Sequence, residues 1–277
     1  MGVVPTRKSL FLLPAALLLA VGLVLPACSL FFGGGGANGE TGYVLRPSVI
    51  WRVQWTTIRI AALVALFSTA LAGCVALLVR PLGGRARAAV LFACFFPLGV
   101  HLAFRVFALQ YLMSSSGPVA SALRVVPLLG SLDPSALLFT QSATIIGLIH
   151  WTFPTAVMVI YTPASRLRGE LLDAAALLGA SGRATLVRVI IPLLLPYFLL
   201  TFSLTFCLAY GSFITPAALG GLNDITVARL IGTLLSEGQA DSARLPAAVG
   251  LATPLLVFGV LYLCSAWIRG RNKGYEG

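Results

Sequence analysis

The chain has 277 residues, of which 58% are aliphatic, aromatic or cysteine and only 10% charged, with a mean hydropathy of +0.97 and a net charge of +11. A soluble domain is nearer a quarter charged, so a water-soluble enzyme or binding module is excluded. Runs of about twenty apolar residues, each long enough to cross some 30 Å of hydrocarbon, recur from end to end and define a polytopic helical membrane protein.

Six spans follow from these runs: Leu10–Phe32, Trp55–Val79, Ala88–Leu112, Ala136–Ile160, Ile191–Phe213 and Leu245–Ile268. They predict an all-α fold in which residues 1–277 form a single transmembrane domain, with no soluble domain and no internal repeat. At the N-terminus, Leu25-Pro26-Ala27-Cys28 resembles a lipoprotein cleavage box. The apolar run continues through Phe32 and a proline sits beside the cleavage position, so the segment is read as a retained first span. Gly33 to Gly36 open a loop reaching about Arg52. Arg80 to Arg87 form a tight Pro/Gly/Arg turn after span two. Ser114 to Ser135 follow span three and are expected to hold a short interfacial helix around Val119–Leu129. Thr215 to Arg244 form the third loop on that side and carry most of its acids.

The segment between spans four and five is different. Pro163 is expected to end span four or its extension. Arg166 to Leu178 then make a helix of roughly 20 Å, too short to cross lipid. Leu167, Leu171, Ala174 and Leu178 fall on one apolar stripe. Glu170 and Asp173 lie one turn apart on another face, in the half of the helix where negative charge is favoured. Gly179 is placed to end the helix in a left-handed conformation. Ser181 is placed to cap a second short helix, Gly182–Ile190, and Pro192 suits the first turn of span five. Ala174, Ala175 and Ala176 leave little bulk, so another surface can approach closely. The elbow reads either as an amphipathic helix at the lipid headgroups or as a docking helix for a partner.

Charge sets the expected orientation. Twelve of the 19 basic residues, among them Arg7, Lys8, Arg80, Arg87, Arg166, Arg183, Arg188 and Lys273, fall in four segments that six spans place on one side, against three acids. The other side is close to neutral. The positive-inside rule then puts both termini and the elbow in the cytoplasm. The basic balance reflects topology and implies no nucleic-acid partner.

Asp173-Ala174-Ala175, three residues, Gly179, nine residues, then Val189-Ile190-Ile191-Pro192 resembles the E-A-A-x3-G-x9-I-x-L-P loop of ABC importer permeases. Asp173 stands where that family usually has Glu. Phe96-Pro97, Arg105-Val106-Phe107-Ala108 and Gly117-Pro118-Val119 resemble the third-span region of spermidine/putrescine permeases. Phe213-Ile214-Thr215-Pro216-Ala217-Ala218-Leu219-Gly220-Gly221 resembles their segment after span five. The resemblance implies a type I importer permease fold in a bacterial inner membrane, and import of a small solute such as a polyamine or related compound. It also implies three protein partners: cytoplasmic ATPase subunits, a second permease subunit, and an extracytoplasmic solute-binding protein. Its coupling residues would be Glu170, Asp173, Ala174, Ala175, Gly179, Ser181, Arg183 and Pro192.

What the chain lacks agrees with that reading. Lys8 and Lys273 are the only lysines, so no phosphate-binding G-x4-G-K-[ST] loop exists. The chain is expected to be no enzyme, with ATP hydrolysed by a separate subunit, and to carry no catalytic residue, metal site or cofactor. His101 and His150 are the only histidines; no H-E-x-x-H occurs, and His150 is expected to hydrogen-bond within the bundle. The five cysteines fall inside spans as small packing residues. No Asp or Glu lies within the spans, which argues against an ion-coupled carrier. That carrier and a scaffold without ATP coupling are the alternatives. Thr201, Thr205, Tyr210 and Ser212 cluster on span five, and Arg105 lies near the end of span three. The hydroxyls are expected either to bond preceding-turn carbonyls or a neighbouring helix, or, with Arg105, to line a solute pathway.

Overall fold

The computed structural model describes residues 46–125, 133–167, 169–221 and 224–273. The expected first span, the glycine-rich loop and the Leu25–Cys28 box lie outside the described residues. Among those described there is no strand. Four helices are each long and apolar enough to cross a membrane, and a bent pair supplies a fifth candidate.

Helix α1 spans Pro47–Val79, with the proline at its first position, where a fixed φ and a missing N–H suit a helix start. It therefore begins eight residues before the expected Trp55. One side of α1 is lined by small residues. Ala61, Ala65, Ala72 and Ala76 are all fully buried, and a Cβ on Gly73 would sit 2.6 Å from the ring of Phe198. Small residues let helix backbones approach closely where no hydrophobic effect drives association. Against this side pack α5 (Gln141–Ser165) and α7 (Gly182–Tyr210). Ile60, Val64, Leu148, Phe206 and Tyr210 fill one half of the shared core; Val157, Ile160, Ala164 and Leu194 fill the other. Helix α10 (Ala240–Lys273) packs along α7, leaving Leu256, Leu263 and Trp267 on an exposed side.

Span three is not one helix. It consists of α2 (Gly84–Phe95), a tight 3-10 turn Phe96–Gly99, and α3 (Leu102–Met113), with the Gly84–Gly99 and Leu102–Arg124 segments bent by 105°. Pro97 removes a backbone donor at the break. Val100 is extended (φ −97°, ψ 131°), and His101 caps the new helix through Nδ1, which accepts from the Ala103 N–H at 3.3 Å. The short helix expected after it is α4, Pro118–Val125; the rest of its expected range lies outside the described residues.

Span four starts later than expected. Asp133 and Pro134 open a 3-10 turn over Pro134–Leu137, Phe139 takes a left-handed φ of 57°, and Thr140 caps α5 at Gln141. Pro163 lies inside the last turn of α5, which runs on to Ser165, so it does not end the span.

The expected short helix Gly182–Ile190 and span five are continuous. Gly182–Thr185 passes through a π-helical segment, Leu186–Ile190, into Ile191–Tyr210. Pro192 would collide with the carbonyl four residues back in a regular α-helix. The wider π turn, with Ile191 N–H bonded to the Leu186 carbonyl, precedes it. Pro192 therefore sits inside a long helix and not at the start of one. The expected third loop also proves largely helical: α8 (Ile214–Leu219) and α9 (Val227–Ser236), the latter packed on α10.

Candidate functional site: the elbow between α5 and α7

Helix α6, Gly169–Leu177, is the elbow. Leu167, just before it, contributes its side chain to the core with Ala164 and Leu194. Within α6 only Ala175 is buried. Leu171 is 44% exposed, and beyond the helix end Leu178 is 88% exposed, with Leu177 at 89%. The expected stripe is therefore split: Leu167 faces the bundle, Leu171 borders an open groove beside Leu193 and Tyr197, and Ala174 and Leu178 face away. Glu170 lies in the first turn of α6, Asp173 in its middle, and both side chains are exposed. Among the described residues neither carboxylate pairs with a basic group, the one ion pair being Arg244 to Asp241 at 3.1 Å.

The end of the elbow follows its local chemistry. Gly179 adopts φ +76°. Its N–H donates to the Ala176 carbonyl at 2.9 Å, and the Ala180 N–H reaches back to the Ala175 carbonyl at 3.0 Å. That pair of bonds is the Schellman arrangement, which satisfies carbonyls a helix end would otherwise leave free. Ser181 then caps α7, its Oγ accepting from the Ala184 N–H at 3.3 Å. Arg183, in the first turn of α7, is exposed.

The elbow also has an attachment that sequence reasoning missed. The Nη2 of Arg80, at the end of α1, donates to the Leu167 carbonyl at 2.6 Å. In the sequence Arg80 carried only a charge-topology signal.

The pathway candidates sit in the bundle. Thr201 and Thr205 are fully buried, and their hydroxyls donate to the carbonyls of Tyr197 and Thr201, each at 2.8 Å. The Tyr210 hydroxyl donates to Gln54 Oε1 at 2.8 Å, and Gln54 Nε2 donates to Thr253 Oγ1 at 2.6 Å. One chain of hydrogen bonds thus joins α7, α1 and α10. Gln54 was also missed; its signal is an amide just inside an apolar helix. Ser212 Oγ, and Nε and Nη1 of Arg105, are buried with no partner among the described residues. Arg105 faces a narrow gap lined by Leu109, Gly147, His150 and Trp151. His150 is exposed and forms no hydrogen bond among the described residues, contrary to expectation.

Comparison with known proteins places this architecture. Residues 88–271 match the family described as binding-protein-dependent transport system inner membrane component. The spermidine/putrescine transport system permease protein PotB of Escherichia coli (strain K12) is 31% identical over 187 residues, covering 65% of this chain and 64% of that protein. Its counterpart in Haemophilus influenzae is 23% identical over 209 residues, covering 75% and 72%. The chain thus spans just under two-thirds of the length of the Escherichia coli relative. Two crystal structures of a bacterial alginate ABC transporter contain similar chains. One is a complex with an alginate pentasaccharide-bound periplasmic protein (TM-score 0.69, 92% of each chain). The other is described as involved in import of the acidic polysaccharide alginate (TM-score 0.71, 94% and 95%). At 17% identity these likenesses concern the fold. The family match runs from the broken third span through the elbow and into the end of α10, and the chain belongs to the binding-protein-dependent transport system inner membrane components, a family of multi-pass transport proteins.

Proposed function

We propose that this chain is a permease subunit of an ATP-driven importer, and that α6 is the handle by which a separate ATPase moves it. The observation that carries this reading is the elbow's exposure. Leu177 and Leu178 stand about nine-tenths in the open beside a run of alanines, on a rod that ends in a rigid Schellman turn. Exposed apolar surface of that kind marks a contact site. Small side chains let a cleft in the ATPase close around the rod, and the carboxylates of Glu170 and Asp173 remain available to it. Ser181 caps the following helix start, Arg183 lies exposed in its first turn where the ATPase can reach it, and Pro192 follows the π segment behind them.

The excess of arginine at the elbow end supports its cytoplasmic placement. A solute-binding protein would then meet the opposite end, near α8 and α9, and a second permease would complete the pore. The polyamine relatives support a polyamine or related small solute as cargo. Of the pathway candidates, Arg105 and Ser212 retain uncommitted buried polar atoms. Thr201, Thr205 and Tyr210 would have to give up internal bonds to meet a solute. Apart from Asp241, which lies in the first turn of α10 and pairs with Arg244, the membrane helices carry no acid, and this tells against coupling to an ion gradient.

The test is reconstitution of the chain in liposomes with ATPase, permease and binding-protein partners that co-purify with it, using radiolabelled spermidine and putrescine as first probes. Uptake should require ATP, and Asp173→Lys should abolish ATP-driven uptake while leaving insertion intact. Uptake by this chain alone under a proton gradient would overturn the reading. So would spin labels on Ala174 reporting burial among lipid tails.

A further inference from the structure

We infer that Arg80 is a positioning residue that makes α1 move with the elbow; the inference rests on the coupling role proposed above. Arg80 directly follows α1, and its guanidinium donates to the Leu167 carbonyl at 2.6 Å. Leu167 lies between the end of α5 at Ser165 and the start of α6 at Gly169. The bond therefore lands on the swivel between a membrane helix and the elbow.

Arg80 is itself held in place. Arg87 Nη2 donates to the Arg80 carbonyl at 3.0 Å and to the Leu82 carbonyl at 2.9 Å. Those bonds fasten the turn between α1 and α2 into a platform. The swivel residue Leu167 also borders an open groove, lined in addition by Thr162, Pro163, Leu171, Leu193 and Tyr197. The first turn of α6 therefore has room to move relative to α7.

A displacement of α6 reaches the bundle by four routes. Two are covalent, through Leu167 into α5 and through the Gly179–Ser181 turn into α7. A third is non-directional, the packing of the Leu167 side chain against the core that holds Ala72, Ala76 and Ala164. The fourth is the Arg80 bond, the one side-chain hydrogen bond between the elbow segment and a distant part of the chain among the described residues. It enters α1, whose small-residue side carries both halves of the core. A hydrogen bond from a charged guanidinium is stronger than a neutral one and directional. With it, a pull on α6 tilts α1; without it, α6 pivots at Leu167 and α1 follows only through side-chain packing.

The experiment uses the full transporter in proteoliposomes, with spermidine or putrescine as probe, and three variants: Arg80→Met, Arg80→Lys and Arg87→Met. Arg80→Met should insert, keep its thermal midpoint and recruit the ATPase as before. The ATP hydrolysed per solute imported should rise roughly 5- to 150-fold, the span of typical couplings between sites. Arg80→Lys offers a single ammonium in place of a planar fork and should recover part of the coupling. Arg87→Met, which loosens only the platform, should have the smaller effect. An unchanged ATP-to-solute ratio in Arg80→Met overturns the inference, as does a loss of thermal stability that accounts for the whole fall in uptake. If Asp173→Lys uncouples and Arg80→Met does not, only the role of Arg80 is lost. If neither uncouples, the docking role of the elbow fails with it.

Discussion

Gly179 is the residue on which the elbow turns, and replacing it isolates a purely conformational effect. Its φ is +76°, and no heavy atom lies within 4 Å of the position a Cβ would take. A larger side chain therefore meets no neighbour, and the whole cost comes from forcing an L-residue into the left-handed region. That cost is roughly 1–2 kcal/mol, with asparagine as the usual exception. A penalty of that size lowers the population of the Schellman-ended geometry by about 5- to 30-fold. α6 buries little besides Ala175, so the loss should stay local and the thermal midpoint of the bundle should remain that of the wild type. ATP-driven uptake should fall in the order Gly179, Gly179→Asn, Gly179→Ala, Gly179→Val, with valine lowest because branching at Cβ adds strain. Uptake and ATP hydrolysis measured in the same proteoliposomes give the ratio. Wild-type coupling in Gly179→Val, or equal damage from asparagine and valine, would show that the left-handed turn does not set the elbow's geometry.

Three other outcomes follow from the packing and the polar contacts. Gly73→Ala places a methyl group against the Phe198 ring at 2.6 Å and should cost about 1–3 kcal/mol, the usual range for an overfilled core. A lower thermal midpoint in detergent would show this, and Phe198→Leu should restore it. Tyr210→Phe leaves Gln54 Oε1 without its donor inside the bundle, a loss of roughly 1–3 kcal/mol. Adding Gln54→Leu should recover stability, because it removes the stranded acceptor. At Asp133, hydrogen bonds from the Ser135 side chain and backbone N–H hold the carboxyl below the usual carboxylate range. Its folded-state pKa thus lies below the unfolded one. The cap's contribution is complete above the unfolded value and disappears as pH falls through the folded value. A carboxyl NMR titration should find the midpoint on the acid side of a free aspartate, and Ser135→Ala should move it upward.

Hydropathy located α1, α5, α7 and α10 because a membrane span is a one-dimensional property of composition. The errors lie where local backbone chemistry outranks composition. Pro47 starts α1 inside what reads as loop, and the Phe139–Thr140 turn delays α5. The break at Val100 is hidden because Pro97, Leu98, Gly99 and Val100 leave the apolar run unbroken. The elbow's ends at Gly179 and Ser181 were legible, since capping depends on residues within one turn. Which side of α6 faces the bundle was not, because Ala175 and Leu171 differ only in where α5 and α7 happen to place them. The Gln54–Tyr210–Thr253 chain joins residues 156 and 199 positions apart, and no local pattern connects them. Arg80 was visible only as a charge; its acceptor is a backbone carbonyl 87 residues away.

The π segment Leu186–Ile190 has a consequence for the length of this helix. A single-turn bulge of this kind accommodates one residue beyond the regular count, while each residue removed from an ordinary α-helix turns everything after it by about 100°. Excising Val187 together with Pro192→Ala, which removes the ring that would clash in a regular helix, should let this stretch close into a uniform coil, shortening the rod by about 1.5 Å and leaving Ser181 and Thr201 pointing as they do now. The same excision among Leu199 to Phe202 would swing the remaining seam of α7 off its neighbours. Insertions and deletions between the elbow and the bundle should therefore collect at this one turn, a slack link in an otherwise rigid shaft.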